Sequence, residues 1–274
     1  MKYADLHIHS NYSDGKLTPE EIINKARSLG VKGISITDHD SISSQLNIKK
    51  KYDDIDIISG IELSTEYNDL ELHVLGYFID IENEKLINTV NKLNKSRIEK
   101  VDEILSKLRK NNIYLTLDDL SIGVNTTIGR SHIANAMVNK GYFDNYKEAF
   151  VSFLIKGKPA YVRGYKLNYK DSIKLINDAG GIAVLAHPGR VYKGMIMESL
   201  IKDLKFYGLK GLEVYHPSHS REQINNFYNL SKKYKLFITG GSDYHGKGCN
   251  NEKLIGSYGI DKDLLNKLIN YNKK

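Results

Sequence analysis

Residues 3–40, YADLHIHSNYSDGKLTPEEIINKARSLGVKGISITDHD, hold one full period of the pattern that organises the chain. A short strand near 3–6 ends in polar residues, and a helix follows. Thr18 suits its N-cap, Pro19 the first helical position and Glu21 the site three residues after the cap. Ile22, Ile23, Ala26 and Leu29 form one apolar face, and Gly30 stops the helix. A second strand covers 32–37. Outward from this unit, strand-like runs recur at 55–63, 70–79, 181–186, 211–215 and 236–239, and amphipathic stretches at 41–52, 168–179, 198–207 and 221–234. Such alternation is expected of repeated βα units on a parallel sheet. Seven strands predict an α/β barrel ringed by helices rather than a sheet of hairpins.

The rhythm breaks at 86–161, where Leu86, Val90, Leu93, Ile98, Val101, Ile104, Leu105 and Leu108 trace a long helix, followed by helical segments at 131–140 and 146–155. This reads as an all-helical insertion, with residues 1–85 and 162–274 forming the barrel. Charge follows the same division. The chain carries 40 Lys+Arg and 33 Asp+Glu, a net of +7, and the window 95–170 alone holds 14 basic against 7 acidic residues, leaving the remainder neutral. The basic excess therefore marks an anion-facing cap rather than general affinity for polyanions or membranes. With 274 residues, 41% hydrophobic and 27% charged, the composition excludes a disordered chain. No apolar run is long enough for a membrane span, no leader pattern opens the chain, and the single cysteine, Cys249, fits a reducing, cytoplasmic setting. One cysteine also cannot build a thiolate cage, so a metal here must take imidazole and carboxylate.

The 9 histidines matter by placement. Asp5-Leu6-His7-Ile8-His9-Ser10, with Asp14 beyond it, puts two imidazoles at i and i+2 on extended backbone, pointing the same way. Thr37-Asp38-His39-Asp40 and Gly60-Ile61-Glu62 belong to the next two strand regions, and His73-Val74-Leu75-Gly76-Tyr77 lies within a strand-like run. Ala186-His187-Pro188, Tyr215-His216-Pro217 and Gly241-Ser242-Asp243-Tyr244-His245 complete the series. A lone histidine after a strand is ordinarily a cap, a surface group or a satisfied core residue, and His73 by itself reads that way. The correlation changes this. The C-terminal ends of barrel strands meet on one face, and so many buried polar groups there are costly to desolvate unless a cation collects them.

Taken in order, these motifs resemble those of the PHP (polymerase and histidinol phosphatase) phosphoesterase family over residues 3–246. Ile128-Gly129-Arg130-Ser131-His132-Ile133-Ala134 in the insertion is similar to the branch of nucleoside 3′,5′-bisphosphate phosphatases and 5′-3′ exoribonucleases acting on short RNA. The resemblance implies a distorted (β/α)7 barrel with a trinuclear metal site. By position it assigns His7, His9, Glu62 and Asp243 to one metal and Asp14, His39 and His245 to a second. His73 and His187 go to a third, with Glu62 bridging. Imidazole suits manganese, iron or zinc better than magnesium, and manganese is the expected metal of the three. Clustered cations lower the pKa of a bridging water and make it a nucleophile toward phosphorus.

Asp5, Asp38 and Asp40 are expected to orient imidazole N–H groups. His216 and His219 are candidates for protonating the leaving group. Arg130 is expected to grip phosphate through its planar fork, with His132, Lys158 and Arg163 as further substrate contacts. Gly157-Lys158-Pro159 is not a P-loop. The expected substrate is a small phosphorylated compound such as a nucleotide, or short RNA, with no obligate protein partner. Histidinol-phosphate phosphatase activity and a non-catalytic nucleic-acid binding module are the rival readings.

Overall fold

A computed structural model describes residues 2–48, 52–120, 123, 126–191, 197–246 and 254–273. The opening unit forms as its sequence dictates: β1 (Ala4–Ile8), α1 (Pro19–Ser28) and β2 (Gly33–Ile36), with β1 buried throughout. The α1 cap is reciprocal. Glu21 N donates to Thr18 Oγ1 (3.3 Å) and Thr18 N donates to Glu21 Oε2 (2.8 Å). The expected helix over 41–52 is a single turn, α2 (Ser43–Leu46), with no side-chain cap at Ile42; residues 49–51 lie outside the described residues, as does Cys249.

Next come β3 (Asp56–Tyr67) and β4 (Leu70–Tyr77), where the uniform parallel run is interrupted. Asn68 and Asp69 join them with φ of 45° and 63°, the two left-handed positions of a tight hairpin turn, and the strands pair antiparallel with Tyr67 opposite Leu70. The sheet order is β1-β2-β3-β4-β6-β7-β8, with β5 (Leu167–Asn168) added beside β3. In it β6 (Ile182–Leu185) pairs antiparallel with β4, while β7 (Gly211–Tyr215) and β8 (Phe237–Gly240) continue parallel. The segment after β8 returns to β1: Asp243 N donates to His7 O (2.8 Å) and His9 N to Tyr244 O (2.9 Å), so the sheet is a nearly closed barrel. Helices α6 (Tyr169–Asp178), α7 (Met197–Phe206), α8 (Arg221–Lys233) and α9 (Lys262–Asn272) cover it.

Between β4 and β5 lie α3 (Glu84–Arg109), α4 (Arg130–Asn139), α5 (Tyr146–Ala149) and a π-helical turn at Phe150–Leu154. α3 serves two cores. Leu86, Val90 and Leu93 pack into the barrel, whereas Val101, Ile104 and Leu108 join Ile133, Met137 and Leu154 in a separate apolar cluster. One rigid helix thus carries the helical segment to the mouth of the barrel. Among the described residues no helix is long and apolar enough to cross a membrane.

Candidate metal centre

Glu62 is the hub. It is 1% exposed, and both of its oxygens face imidazoles: His7 Nε2 (3.4 Å), His9 Nε2 (3.3 Å) and His39 Nδ1 (3.0 Å) approach Oε2, while His73 Nδ1 (2.9 Å) and His187 Nε2 (3.0 Å) approach Oε1. Backbone pairing sets this register. Glu62 N donates to Asp38 O (3.1 Å) and Asp40 N to Glu62 O (2.9 Å), which extends the β2–β3 ladder and fixes His39 beside Glu62. His73 enters from β4, across the hairpin, where it stands opposite Ser64. A second carboxylate gathers the other side. Asp243 Oδ1 lies 3.2 Å from His9 Nε2, 3.5 Å from His7 Nε2 and 3.7 Å from His245 Nδ1, and Asp14 Oδ1 lies 3.2 Å from His245 Nε2.

Whether this donor set fits divalent cations is decided by where its atoms aim. His39 Nδ1 and Asp14 Oδ1 are buried without an aligned hydrogen bond despite their close neighbours, so these atoms converge on shared space rather than on each other. His9, Asp14, His39 and His245 form one group with ligand atoms within 4.8 Å of one another; His7, His9 and Asp243 form another, and Glu62 joins two more, with His39 and His73 and with His7 and His187. The electrostatics divide the donors: burial lowers His7, His73 and His245, but the facing carboxylates outweigh it and hold His7 well above the ordinary imidazole value and His73 and His245 at about 9, so a metal bound there displaces protons. Burial raises the Glu62 carboxyl, but His39, His73 and His7 outweigh it and hold it well below the ordinary value. Burial likewise raises Asp243, and Arg190, His7 and His245 more than reverse the shift. Burial presses His9 down to about 4, reinforced by His245, and His187 down to about 3, so both offer neutral imidazole at neutral pH. The donors fit imidazole-tolerant divalent metals.

The cluster floors a cavity of about 710 Å³ whose wall includes Asp14, Glu62, His73, Arg130, His132 and Arg190. Arg130 and His132 both line this cavity. Arg130 Nη2 reaches Glu71 (3.3 Å), and His132 Nδ1 accepts from Gly129 N (3.2 Å) at the start of α4. Lys158 and Arg163 do not line the cavity: Lys158 is exposed, and Arg163 is 62% exposed and paired with Glu66 and Asp69. The two histidines after β7 also part. His216 accepts from Ser218 N at Nδ1 (3.0 Å), which leaves its Nε2–H facing Asp243 Oδ2 (3.3 Å). His219 donates from Nδ1 to Val214 O (2.9 Å) and accepts at Nε2 from Gly189 N (3.1 Å), so both nitrogens are committed to backbone away from the cavity.

The three aspartates hold backbone and loops, not imidazoles. Asp5 accepts from Ser242 N and Gly256 N, Asp38 from Ser10 N and the Ser10 and Ser13 hydroxyls, and Asp40 from Ser64 N and Arg97. The carboxylate that meets His7 Nδ1, at 2.9 Å, is Glu213, which sequence reasoning passed over although a glutamate inside the apolar run Gly211–Tyr215 was a visible signal. Arg190 was also missed; its Nη2 lies 2.8 Å from Asp243 Oδ2. So were Arg97, Lys100 and Lys166. Arg97 and Lys100 stand three residues apart on α3, on one face, and with Lys166 and Arg130 they line a smaller pocket of about 50 Å³ behind the main cavity. Glu71 sits among them, 2.7 Å from Lys166 Nζ. Three non-glycine residues of the site adopt left-handed backbone: Asp40, His187 and Asp243, at φ of 47°, 36° and 53°.

Buried imidazoles and carboxylates beneath a cationic wall make up the apparatus of a metal-dependent phosphoesterase, and that is the class to which this protein belongs. The family model of the PHP domain matches residues 5–187, and the chain is a member of the PHP family of phosphoric ester hydrolases. It is 32% identical over 247 residues to the 5′-3′ exoribonuclease of Haemophilus influenzae, covering 89% of this chain and 90% of that protein. It is 30% identical over 253 residues to the 3′,5′-nucleoside bisphosphate phosphatase of Chromobacterium violaceum, covering 90% and 89% respectively. Its fold superposes on an amidohydrolase from Chromobacterium violaceum solved with bound sulfate and no metal, with a TM-score of 0.88, 28% identity and coverage of 98% and 96%.

Proposed function

We propose that the protein hydrolyses phosphate esters of nucleotides, releasing phosphate from 3′,5′-bisphosphonucleotides or terminal nucleotides from short RNA, as a cytoplasmic enzyme. The observation that carries this reading is the shared wall: Arg97 and Arg130 border both the cavity lined by the imidazoles and carboxylates and the pocket holding Lys100 and Lys166. A substrate with one phosphoryl group over the imidazoles and a second anionic group among these cations uses both. The helical segment at 86–161 acts in this reading as the cap that brings the cations to the barrel mouth.

His7, His9, Asp14, His39, Glu62, His73, His187, Asp243 and His245 are the residues to hold metal, three divalent ions in all, manganese first and iron or zinc as alternatives. When bound, such ions acidify water and withdraw charge from phosphoryl oxygens. The chain's own residues do the rest. Arg130 orients the substrate's anionic groups, Arg97 braces Asp40 behind it, Arg190 steadies Asp243, and the cap residues exclude water from the ester. Of the two histidines considered as proton donors, His216 is the one whose Nε2–H faces the site.

Manganese-loaded protein should turn over 3′,5′-bisphosphoadenosine and short 5′-phosphorylated RNA faster than histidinol phosphate, and His39→Ala and Asp243→Ala should each reduce turnover to background. Full turnover in both variants overturns the site, while preference for histidinol phosphate reassigns the substrate.

A pH dependence follows from Lys100. Burial, with Arg130, Lys166 and Arg97 nearby, lowers its ammonium to about 8. Between pH 7 and 9 that cation is lost, so KM for a bisphosphonucleotide should rise severalfold with little change in kcat, and Lys100→Met should flatten the profile. Folding stability moves the other way. Between about pH 8 and the ordinary lysine value the unfolded chain binds the proton that the folded chain has released, so this group's contribution becomes more favourable as pH rises. Kinetic and urea-melt pH series read the two separately.

A further inference from the structure

Glu213 lies in the middle of β7, is 0% exposed, and spends its two oxygens on two different parts of the site. Oε1 stands 2.9 Å from His7 Nδ1, and Oε2 accepts the backbone N–H of His187 at 2.7 Å. His7 comes from β1, on the far side of the chain in sequence, and His187 follows β6 in a left-handed conformation, φ 36° and ψ 66°. We propose that Glu213 is a positioning residue that places the His7 proton on Nδ1, turning the Nε2 lone pair toward the cavity, and at the same time pins the strained His187 turn.

The geometry of His7 gives the first half. Its Nε2 faces His9 Nε2 (3.1 Å), Glu62 and Asp243, the direction in which a ligand atom is needed, whereas Nδ1 faces only Glu213 among the described carboxylates. A carboxylate is an acceptor alone, so it selects the tautomer with hydrogen on Nδ1. The second half follows from the cost of a non-glycine residue in left-handed backbone, which persists only where its surroundings over-determine it. A hydrogen bond from the His187 amide to a buried, charged acceptor is such a determinant.

Glutamine has the same shape but a single acceptor oxygen. Glu213→Gln therefore cannot serve both partners. Either its amide hydrogens meet His7 Nδ1 and push the proton to Nε2, or they meet the His187 N–H and expel the turn. Aspartate keeps two acceptors at shorter reach. The proposal rests on the reading of His7 and His187 as metal ligands, and the test separates the two.

Manganese affinity is measured by chelator competition for wild type, Glu213→Gln, Glu213→Asp and His7→Ala, and the His7 proton is located by long-range nitrogen–proton NMR on metal-free protein. Wild type should carry the proton on Nδ1. Glu213→Gln should lose about 10–100-fold in manganese affinity and lose that Nδ1–H signal, and Glu213→Asp should restore the signal and part of the affinity. Wild-type affinity in Glu213→Gln, or the absence of a proton from Nδ1 of His7 in metal-free wild type, overturns the proposal; the latter needs no variant and decides the matter even if Glu213→Gln fails to fold. Wild-type affinity in His7→Ala instead overturns the ligand reading on which the proposal rests.

Discussion

Glu62→Gln is expected to lower kcat/KM by about three orders of magnitude and to strip the protein of bound metal. Five imidazoles meet the two oxygens of this one carboxylate at 2.9–3.4 Å. The variant keeps the shape and hydrogen-bonding length but removes the charge and one acceptor, so the imidazoles lose the group around which they are arranged. Breaking a buried charged partnership costs about 3–5 kcal/mol, and at roughly 1.4 kcal/mol per decade that is two to four decades of rate. No other carboxylate touches both His73 and His187 among the contacts described, so nothing nearby takes over the role of Glu62. Steady-state kinetics together with elemental analysis check it. Activity within tenfold of wild type at full metal occupancy would make Glu62 a structural residue only.

Arg97→Met should produce the largest loss of stability. Arg97 leaves α3 to reach Asp40 through both Nε (2.9 Å) and Nη2, and Nη2 also donates to Ser64 Oγ (2.9 Å) and Nη1 to Ile128 O (3.3 Å). Asp40 is 1% exposed, so the variant strands a buried carboxylate whose remaining partner is the Ser64 amide. The expected cost is about 3–5 kcal/mol, or a fall in Tm of roughly 10 °C for a chain of this size. Asp40→Asn combined with Arg97→Met should recover much of it, because the stranded charge is gone. Calorimetry of the three variants reads this directly, and additive losses in the double variant would locate the damage in packing instead.

Much of this molecule was legible before the fold was known, because the signals were local. The Thr18-Pro19-Glu21 start, the alternating strands and the paired histidines of residues 7 and 9 need only neighbours in sequence to be read. Arg130 and His132 stood out within a basic stretch. What stayed hidden depends on contacts between distant residues. The reversal of β4 turns on two left-handed residues, Asn68 and Asp69, that look like any polar pair. The aspartates beside the histidines were expected to bind imidazole, yet their side chains are short and sit next to backbone amides, which take them first. The partner of His7 comes instead from β7, more than two hundred positions away. Lys158 and Arg163 share the basic character of residues 95–170 but do not line the cavity, and net charge is blind to that difference.

The left-handed backbone at Asp40, His187 and Asp243 bears on how this protein changes over evolutionary time. Each such residue costs about 1–2 kcal/mol relative to a relaxed conformation, and glycine or asparagine at the same place would recover part of that cost. Asp40 is kept in any case by its ion pair with Arg97, whereas selection for stability alone would not favour His187 and Asp243, which their place among the candidate ligands retains. A descendant that had stopped cleaving phosphate esters should drift at positions 187 and 243 while keeping its barrel and Asp40, so those two positions form a record of whether a related chain is still at work.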